Sequence, residues 1–355
     1  MDALAPAKLN LLRQGVVIPA VPLALDRERR FDPRRQTALM RYYVEAGAGG
    51  VAVGMHFTQF EIRNPGVNLF RPVLETCARA IDEQAARLGR TAVKIAGISG
   101  LTDTACQQAR LARELGYDLA IPSLAAFKGA LPQDMIYHMR ELAKIMPLFG
   151  FYLLTGVGGI HLPYRFWREL VDLENLVGIK IAPFNRYFTL DVCRAVAEAG
   201  REDDVVLYTG NDESIVHDLV TPFRFMVNGQ PRTVRMRGGL LGQWGCWTRK
   251  AVALLAEIHG VVDGNLPISP DLLARAAQIT DANAALFDPA HDYAGSIPGI
   301  HEVLRRQGLM TNNLTLKHDE VLAPGQLEEI DRVLAAYPHL QDDEFVAQHL
   351  HEWLA

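Results

Sequence analysis

The chain has 355 residues, of which 49% are apolar and 22% charged, and its formal net charge is −5. Charges of one sign form no long run, which argues against a nucleic-acid-binding or membrane-surface protein. No apolar stretch approaches the ~20 residues of a membrane-spanning helix, and the N-terminal residues lack the basic region and apolar core of a signal peptide.

Short apolar runs alternate with helical patterns along the first 220 residues. Seven runs are predicted to be strands, at residues 15–21, 50–54, 92–97, 118–122, 148–153, 176–182 and 205–209. Helices are predicted to follow them at residues 34–46, 71–88, 102–115, 133–145, 161–172, 189–199 and 212–220. Regular alternation is typical of a parallel sheet, and seven units without a change in rhythm favour a closed (β/α)8 TIM barrel.

The eighth unit contains an interruption. Asn228-Gly229 is the strongest two-residue turn signal, so residues 223–227 and 233–237 are predicted to form a hairpin. Residues 238–242 then end the eighth strand, and residues 247–259 form its helix.

The rest of the chain has helical patterns. Ser269 and Pro270 are typical of an N-cap followed by proline at the first helical position, and this helix should reach about residue 287. Further helices are predicted near residues 300–307, 326–336 and 344–353. We therefore predict a barrel over residues 1–262 and a C-terminal helical extension, residues 263–355, packed on the barrel.

The loops after the predicted strands supply the candidate site residues, because function in such barrels lies at the carboxyl ends of the strands. The candidates are Gly54, Met55, His56 and Thr58 after strand two, Tyr152 in strand five, Lys180 in strand six, Asn185 and Asn211 in the next two loops, and Gly239 and Gln243 around the end of strand eight.

Lys180 carries the strongest signal. It lies between Ile179 and Ile181 in an apolar strand, where an ammonium group is costly to bury. Desolvation lowers the pKa of an amine and makes it a nucleophile toward carbonyl carbons. The alternative is a structural ion pair. Lys94 lies in a similar apolar run, between Val93 and Ile95, but further from its strand's carboxyl end, which favours a structural role for it.

Several other candidate residues also suit a purely structural role. Tyr152 lies on the strand next to Lys180 and suits proton transfer, but it also suits a core aromatic. Two glycine pairs, at residues 158–159 and 238–239, could cradle a phosphate, but tight turns are favoured because no phosphate-binding motif surrounds them. Four widely spaced cysteines with no C-x-x-C pair predict buried free thiols in a reducing cytoplasm, and no metal site.

The order of these features resembles the dihydrodipicolinate synthase/N-acetylneuraminate lyase family of class I aldolases, from Gly15 to about Leu309. The matching segments are residues 17–23 and 31–32, the glycine-rich residues 46–54, the imine-forming motif Gly178-Ile179-Lys180, the turn Gly210-Asn211-Asp212, and Tyr152 at the catalytic tyrosine's place. The resemblance implies a (β/α)8 barrel with a helical extension, a Schiff base between Lys180 and pyruvate or another 2-oxo acid, and a homotetramer or dimer. It implies no metal or organic cofactor.

The chain also departs from the family pattern. After strand two, Met55 and His56 replace the hydroxyl-bearing stretch that holds the 2-oxo acid carboxylate. Val157 falls near the position of an arginine that binds a second carboxylate in the synthases, and residues 125–127 lack the tyrosine that a neighbouring subunit contributes there. These differences argue against dihydrodipicolinate synthesis itself.

The sequence thus predicts a class I lyase in which Lys180 attacks the carbonyl, Tyr152 relays protons and His56 acts as carboxylate donor or acid–base group. Gly54, Met55, Thr58, Asn185, Asn211, Gly239 and Gln243 are the predicted substrate-binding residues. Two alternatives stay open: a sugar-acid dehydratase that uses the same imine, and a catalytically silent barrel that binds a small molecule.

Overall fold

The fold is a (β/α)8 barrel with C-terminal helices, as predicted. The computed structural model describes residues 4–355, so residues 1–3 of the predicted barrel domain lie outside the described residues. Among those described, no helix has the length and apolarity needed to cross a bilayer.

Eight parallel strands alternate with helices, and a hairpin precedes the last of them. The parallel strands are β1 (Val17–Pro19), β2 (Gly50–Val53), β3 (Val93–Ile98), β4 (Leu119–Pro122), β5 (Leu148–Leu153), β6 (Leu176–Ala182), β7 (Val206–Thr209) and β10 (Met236–Leu241). The hairpin strands are β8 (Phe223–Val227) and β9 (Gln230–Val234).

The helices before the last barrel strand are α1 (Pro6–Gln14), α2 (Pro33–Ala46), α3 (Phe70–Arg87), α4 (Thr102–Glu114), α5 (Pro132–Ala143), α6 (Tyr164–Val171), α7 (Arg186–Ala199) and α8 (Ile215–Val220). Those after it are α9 (Thr248–Asp263), α10 (Pro270–Phe287), α11 (Ser296–Arg306), α12 (Gln326–Ala336) and α13 (Asp343–Leu354).

The chain divides into two compact units, and the first comprises residues 4–16 and Val93–Leu240. Its six parallel strands lie in the order β10-β7-β6-β5-β4-β3. Its helices are amphipathic: α6, for example, buries Phe166, Trp167 and Leu170 on one stripe. The consecutive strands β3 to β7 are almost wholly buried, which explains why they read as continuous apolar runs.

Helix α1 belongs to this first unit and was not predicted from the sequence. The Tyr208 hydroxyl fastens its end, donating to Leu12 O (2.9 Å) and accepting from Val16 N (3.1 Å). Lys8 of the same helix pairs with Asp118 at 2.7 Å. The tertiary contacts of α1 therefore come from residues far away in sequence, which local patterns do not reveal.

The second unit comprises Val17–Ala92 and Leu241–Ala355. In it α13 packs on α2, with the rings of Tyr42 and Trp353 5.5 Å apart. The buried Asp342 carboxylate accepts hydrogen bonds from the Tyr42 hydroxyl (2.8 Å) and the Arg249 amide (3.0 Å). The C-terminal helices thus share a core with α2, and the predicted boundary at residues 262 and 263 stays a prediction.

Several local predictions are confirmed. Strands β8 and β9 pair antiparallel around Asn228-Gly229, whose φ values of 50° and 76° are those of a type I′ turn. The second hairpin strand is Gln230–Val234 instead of the predicted 233–237, because pairing starts directly after the two-residue turn and residues 236–237 belong to β10. Ser269 caps α10, accepting from the Leu272 amide at 3.1 Å. All four cysteines are free and buried.

Two predicted helices begin later than expected, and one glycine pair is not in a turn. Helix α6 starts at Tyr164 instead of 161, and α8 at Ile215 instead of 212. Gly238 and Gly239 lie within β10, where a side chain on Gly238 would come within 2.6 Å of the Tyr208 ring. The preceding loops at 161–163 and 212–214 are therefore parts of the sheet's carboxyl edge.

We expect Tyr208→Phe to lower the free energy of unfolding by about 1 kcal/mol, because the Val16 amide loses its acceptor. Urea unfolding measures the change. Tyr187→Phe is the matched control, since the Tyr187 side chain is 80% exposed and its loss of a hydroxyl should be neutral. Equal effects of the two substitutions would contradict the role given to Tyr208.

Candidate active site

Lys180 is buried in β6 with a relative exposure of 7%. It pairs in register with Phe151 of β5 and Tyr208 of β7. Its Nζ lies 4.8 Å from the centroid of the Phe151 ring. Across residues 4–355, its Nζ has no hydrogen bond or ion pair. The structural ion pair that was the alternative for this lysine is therefore not formed with any described residue.

Burial lowers the pKa of Lys180 to about 8, while the charge of Asp212 acts in the opposite direction. Lys94 has a different environment despite its similar sequence. The Lys94 Nζ lies 3.4 Å from where a Cβ on Gly116 would be, before the start of β4, and its backbone amide donates to Asp118. The two lysines thus point to opposite ends of their strands, and only Lys180 lies toward the carboxyl end.

Gly210 makes room for the Lys180 side chain. A Cβ on Gly210 would lie 2.6 Å from Lys180 Cε and 2.7 Å from the Cβ of Ala182, closer than atoms can approach. The Gly210 amide donates to Ile181 O at 2.7 Å, which holds this backbone against β6. A glycine is therefore required beside the lysine stem.

Tyr152 lies on the opposite face of β5 from Phe151, because side chains alternate along a strand. Its ring packs on Trp167 at 5.2 Å and on Phe188 at 5.8 Å, and its hydroxyl accepts from the Leu162 amide at 3.3 Å. Burial raises its pKa to about 12. The predicted proton relay through Tyr152 finds no support in this geometry, since Phe151 is the ring beside Lys180.

Phe151 lies beside Lys180 in place of Tyr152 because the pairing of β5 with β6 shifts by one residue. Leu148 pairs with Leu176, but the next residue, Phe149, pairs with Gly178, so the register between β5 and β6 changes by one residue. Without this irregularity, Tyr152 would stand opposite Lys180. A one-residue shift moves each side chain to the other face.

Asp218 of α8 joins the loops after β6 and β7. It is fully buried, and its Oδ2 accepts from Thr209 Oγ1 (2.7 Å) and Asn211 Nδ2 (2.8 Å). Its other oxygen pairs with Arg186 at the start of α7. Thr209 and Asn211 flank Gly210, so this carboxylate fixes the backbone on both sides of the glycine that contacts Lys180.

The predicted substrate-binding residues of the first unit are engaged in structural hydrogen bonds. Asn211 accepts from the Phe184 amide (3.0 Å) and donates to Thr189 Oγ1 (3.1 Å). Asn185 is the N-cap of α7, where its side chain accepts from two backbone amides. Gly239 donates its amide to Val16 O at 3.3 Å. These contacts do not support direct substrate binding through the same atoms.

The remaining candidates belong to the second unit. Thr58 Oγ1 accepts from the Gly54 amide (2.9 Å) and donates to Val21 O (2.7 Å), so this hydroxyl braces the loop after β2. Met55 is buried. The His56 ring lies 5.2 Å from Phe57 in an edge-on arrangement. Gln243 is buried in a short turn directly after β10.

Sequence reasoning missed Asp218, Phe151 and Arg63. The Arg63 guanidinium lies 4.4 Å from the Phe70 ring and donates to Gly54 O at 3.0 Å; burial lowers its pKa to about 9. It follows an irregular segment, where no periodicity indicates its surroundings.

In the part of the chain that the structure describes, no group of three or more His, Cys, Asp or Glu side chains is suited to hold a metal ion.

Comparison with known proteins identifies relatives with this fold, although no family model matches the sequence. A 4-hydroxy-tetrahydrodipicolinate synthase from Alkaliphilus oremlandii is 28% identical over 130 residues, which are 36% of this chain and 43% of that protein. The chain therefore matches less than half the length of this curated relative.

Solved structures match over nearly the whole chain. Dihydrodipicolinate synthase from Oceanobacillus iheyensis has a TM-score of 0.73 at 17% identity, covering 94% of this chain and 99% of that one. N-acetylneuraminate lyase from Fusobacterium nucleatum has a TM-score of 0.69 at 12% identity, and the match covers 92% of this chain and 99% of that one. A pyruvate complex of dihydrodipicolinate synthase from Acinetobacter baumannii has a TM-score of 0.72 at 15% identity, and the match covers 90% of this chain and 98% of that one.

We expect Lys180→Met to stabilise the protein by about 3 kcal/mol below pH 8, where the wild-type folded state holds a protonated amine in an apolar setting. Between pH 8 and 10.5 the folded wild type has lost this proton while the unfolded chain keeps it, so wild-type stability rises with pH. The advantage of the variant should therefore shrink over that range.

Urea unfolding of both proteins from pH 7 to 10.5 measures the difference. A difference that is constant with pH, or that grows, would contradict a depressed pKa for Lys180.

We expect Asp218→Asn to loosen the loops after β6 and β7, because an amide cannot accept from all three of its donors. Hydrogen exchange should become at least about tenfold faster at the Phe184 and Asn211 amides. Loss of the charged hydrogen bonds of the buried Asp218, whose partner Arg186 is half-exposed, should cost about 2 kcal/mol of stability. Asp118→Asn is the control, since Asp118 is also an ion-paired acid of the first unit. Comparable exchange in the two variants would argue against the role given to Asp218.

Proposed function

We propose that this chain is a divergent member of the dihydrodipicolinate synthase/N-acetylneuraminate lyase family and a class I lyase that forms an imine between Lys180 and a 2-oxo acid. One observation carries the proposal: the Lys180 amine is buried, lacks an ion-pair partner among residues 4–355, and has a pKa lowered to about 8. About a tenth of such an amine is unprotonated at pH 7, far more than for an ordinary lysine.

In the proposed reaction, the free amine of Lys180 adds to the keto carbon and gives a carbinolamine. Loss of water from the carbinolamine leaves an imine, which gains a proton on nitrogen. The protonated imine withdraws electrons, so the carbon next to the imine carbon can release or accept a carbon–carbon bond. In cleavage, the hydroxyl on the departing carbon loses its proton as the bond breaks, which releases one carbonyl fragment and leaves an enamine on Lys180. The enamine takes a proton on carbon, and hydrolysis of the resulting imine by one water returns the amine and a 2-oxo acid; no further cofactor takes part.

The carbinolamine steps need a proton donor and acceptor. Asp212 lies in the loop after β7, and its charge acts on Lys180, so we assign this transfer to its carboxylate. Tyr152 remains an alternative that requires a side-chain or register change, since its ring contacts Trp167 and Phe188. His56 remains our proposal for binding the substrate carboxylate or acting as acid–base group.

Pyruvate and sugar-derived 2-oxo acids are the proposed substrates. Pyruvate is bound by the similar Acinetobacter baumannii enzyme, which makes it the first compound to test. The changed loop after β2, with Met55 and His56, and Val157 after β5 support a substrate other than that of dihydrodipicolinate synthesis.

The test is reductive trapping. We expect borohydride treatment in the presence of pyruvate or a panel of 2-oxo acids to leave a covalent adduct, measured by intact mass and located on Lys180 by peptide mapping. Lys180→Met should form none, because the nucleophile is gone, whereas Lys94→Met, which removes the other buried strand lysine, should form it at the wild-type rate.

An adduct that persists in Lys180→Met, or no adduct with any acid of the panel, would overturn the proposal. Product analysis then separates the two imine chemistries, since carbon–carbon cleavage releases two carbonyl fragments and dehydration releases one organic product. A protein that traps no acid but binds one reversibly would be the silent barrel.

A further inference from the structure

A cavity of about 250 Å³ lies within the second unit, between α9, α10 and the turn Pro338–Leu340. Its walls are largely apolar and include Trp244, Trp247, Leu254 and Ile279. Ligand pockets for drug-sized molecules are typically about 300–1,000 Å³. This cavity therefore suits a small, compact ligand with an apolar body that packs on indole rings.

The polar groups in the wall include buried donors without acceptors. The Trp247 indole N–H and the Arg275 Nε–H are both buried, and neither has an acceptor among residues 4–355. Arg275 uses one terminal nitrogen to pair with Glu257 at 2.5 Å, which leaves its other donors available. A buried donor without an acceptor is costly, so the site favours a ligand that accepts hydrogen bonds.

The charges around the cavity favour an anion. Lys250 lines the same cavity and makes no ion pair with any residue that the structure describes. Glu257 is the acidic residue of the lining, and Arg275 already neutralises it. The His339 ring is held by Gln278 at 2.9 Å. The lining also holds the acceptor oxygen of the buried Gln243 amide, but the Trp247 and Arg275 donors and the charge of Lys250 outnumber it. This balance matches a carboxylate, whose two oxygens can accept parallel hydrogen bonds from one guanidinium.

The backbone at Trp247 is strained. Its φ of 54° and ψ of 32° are left-handed, which is uncommon for a bulky residue, and it directly precedes α9. Strain of this kind persists where the surroundings hold it, and it concentrates at ligand sites. Here it fixes the place of an indole whose N–H lacks an acceptor among the described residues.

We propose that this cavity is a second binding site, for a small carboxylate that carries an aromatic or similarly compact apolar group. Arg275 and the Trp247 N–H bind the carboxylate, Lys250 adds long-range attraction, and the apolar body packs against Trp244 and Ile279. The lining contains none of Lys180, Asp212 and His56, the residues assigned to steps of the proposed lyase reaction, so the proposal does not rest on that reaction. Gln243 is the one predicted substrate-binding residue in the lining, and it has no part in the proposed carboxylate contacts.

The experiment uses phenylacetate as the probe and its neutral isostere phenylacetamide as the control ligand. The full chain is labelled with 5-fluorotryptophan, which gives one fluorine resonance for each of the four tryptophans, and Trp247→Phe assigns one of them. Phenylacetate should shift the Trp247 resonance saturably, and phenylacetamide at the same concentrations should not.

Variants test whether Arg275 binds the carboxylate of phenylacetate. Arg275→Gln should weaken phenylacetate binding about tenfold or more. Arg332→Gln removes another ion-paired arginine of the second unit and should leave the Kd unchanged. Lys180→Met should also bind with the wild-type Kd, so failure of the proposed lyase function leaves this measurement intact.

If Arg275→Gln does not fold, Arg275→Lys keeps the charge without the planar fork and should bind with intermediate affinity. The proposal is overturned if the Trp247 resonance does not move, if phenylacetamide shifts it equally, or if the folded Arg275 variant binds phenylacetate as the wild type does.

Discussion

A buried amine that makes no direct ion pair among residues 4–355 is the constraint around which the first unit is arranged. The stem of Lys180 fits because Gly210 has no side chain, and its Nζ faces the ring of Phe151. None of these neighbours carries a charge, and desolvation outweighs the charge of Asp212, so the site penalises the ammonium form. Burial of Lys180 thus lowers the stability of the protein and at the same time produces a free amine. Such a trade-off between stability and reactivity is expected at a reactive site.

Asp218, the buried acid of α8 that joins the neighbouring loops, lies on the other face of the sheet from this amine. Thr209 pairs with Ile181, whereas Lys180 pairs with Tyr208, so Thr209 and Lys180 point to opposite faces of the sheet. Asp218 bonds Thr209 on the helix-facing side and is neutralised there by Arg186. The loops are therefore fixed by a buried carboxylate that does not compete for the proton of Lys180.

The sequence was sufficient for features that depend on local chemistry. Alternating apolar runs and helical patterns predicted the β/α alternation. Asn228-Gly229 predicted the hairpin, and Ser269 predicted the cap of α10. These signals act over a few residues, and tertiary packing did not override them. The fold class followed because regular alternation leaves few arrangements.

Features that depend on strand register and on distant partners could not be predicted. Phe151 and Tyr152 are adjacent aromatics, and one irregular pairing at the start of β5 decides which of them faces Lys180. Asn185 and Asn211 have the composition of binding residues, yet they cap a helix and brace a loop. The predicted homo-oligomer, dimer or tetramer, stays a prediction.

The β8–β9 hairpin has a practical consequence. Its tip at Asn228-Gly229 is held by no side chain from elsewhere among the described residues, and Met226 beside it is 70% exposed. The hairpin forms a two-stranded sheet of its own, separate from the parallel strands. The tip therefore offers a position for new chain termini or an inserted reporter, where a circularly permuted protein would keep β7 and β10 as adjacent strands of the sheet.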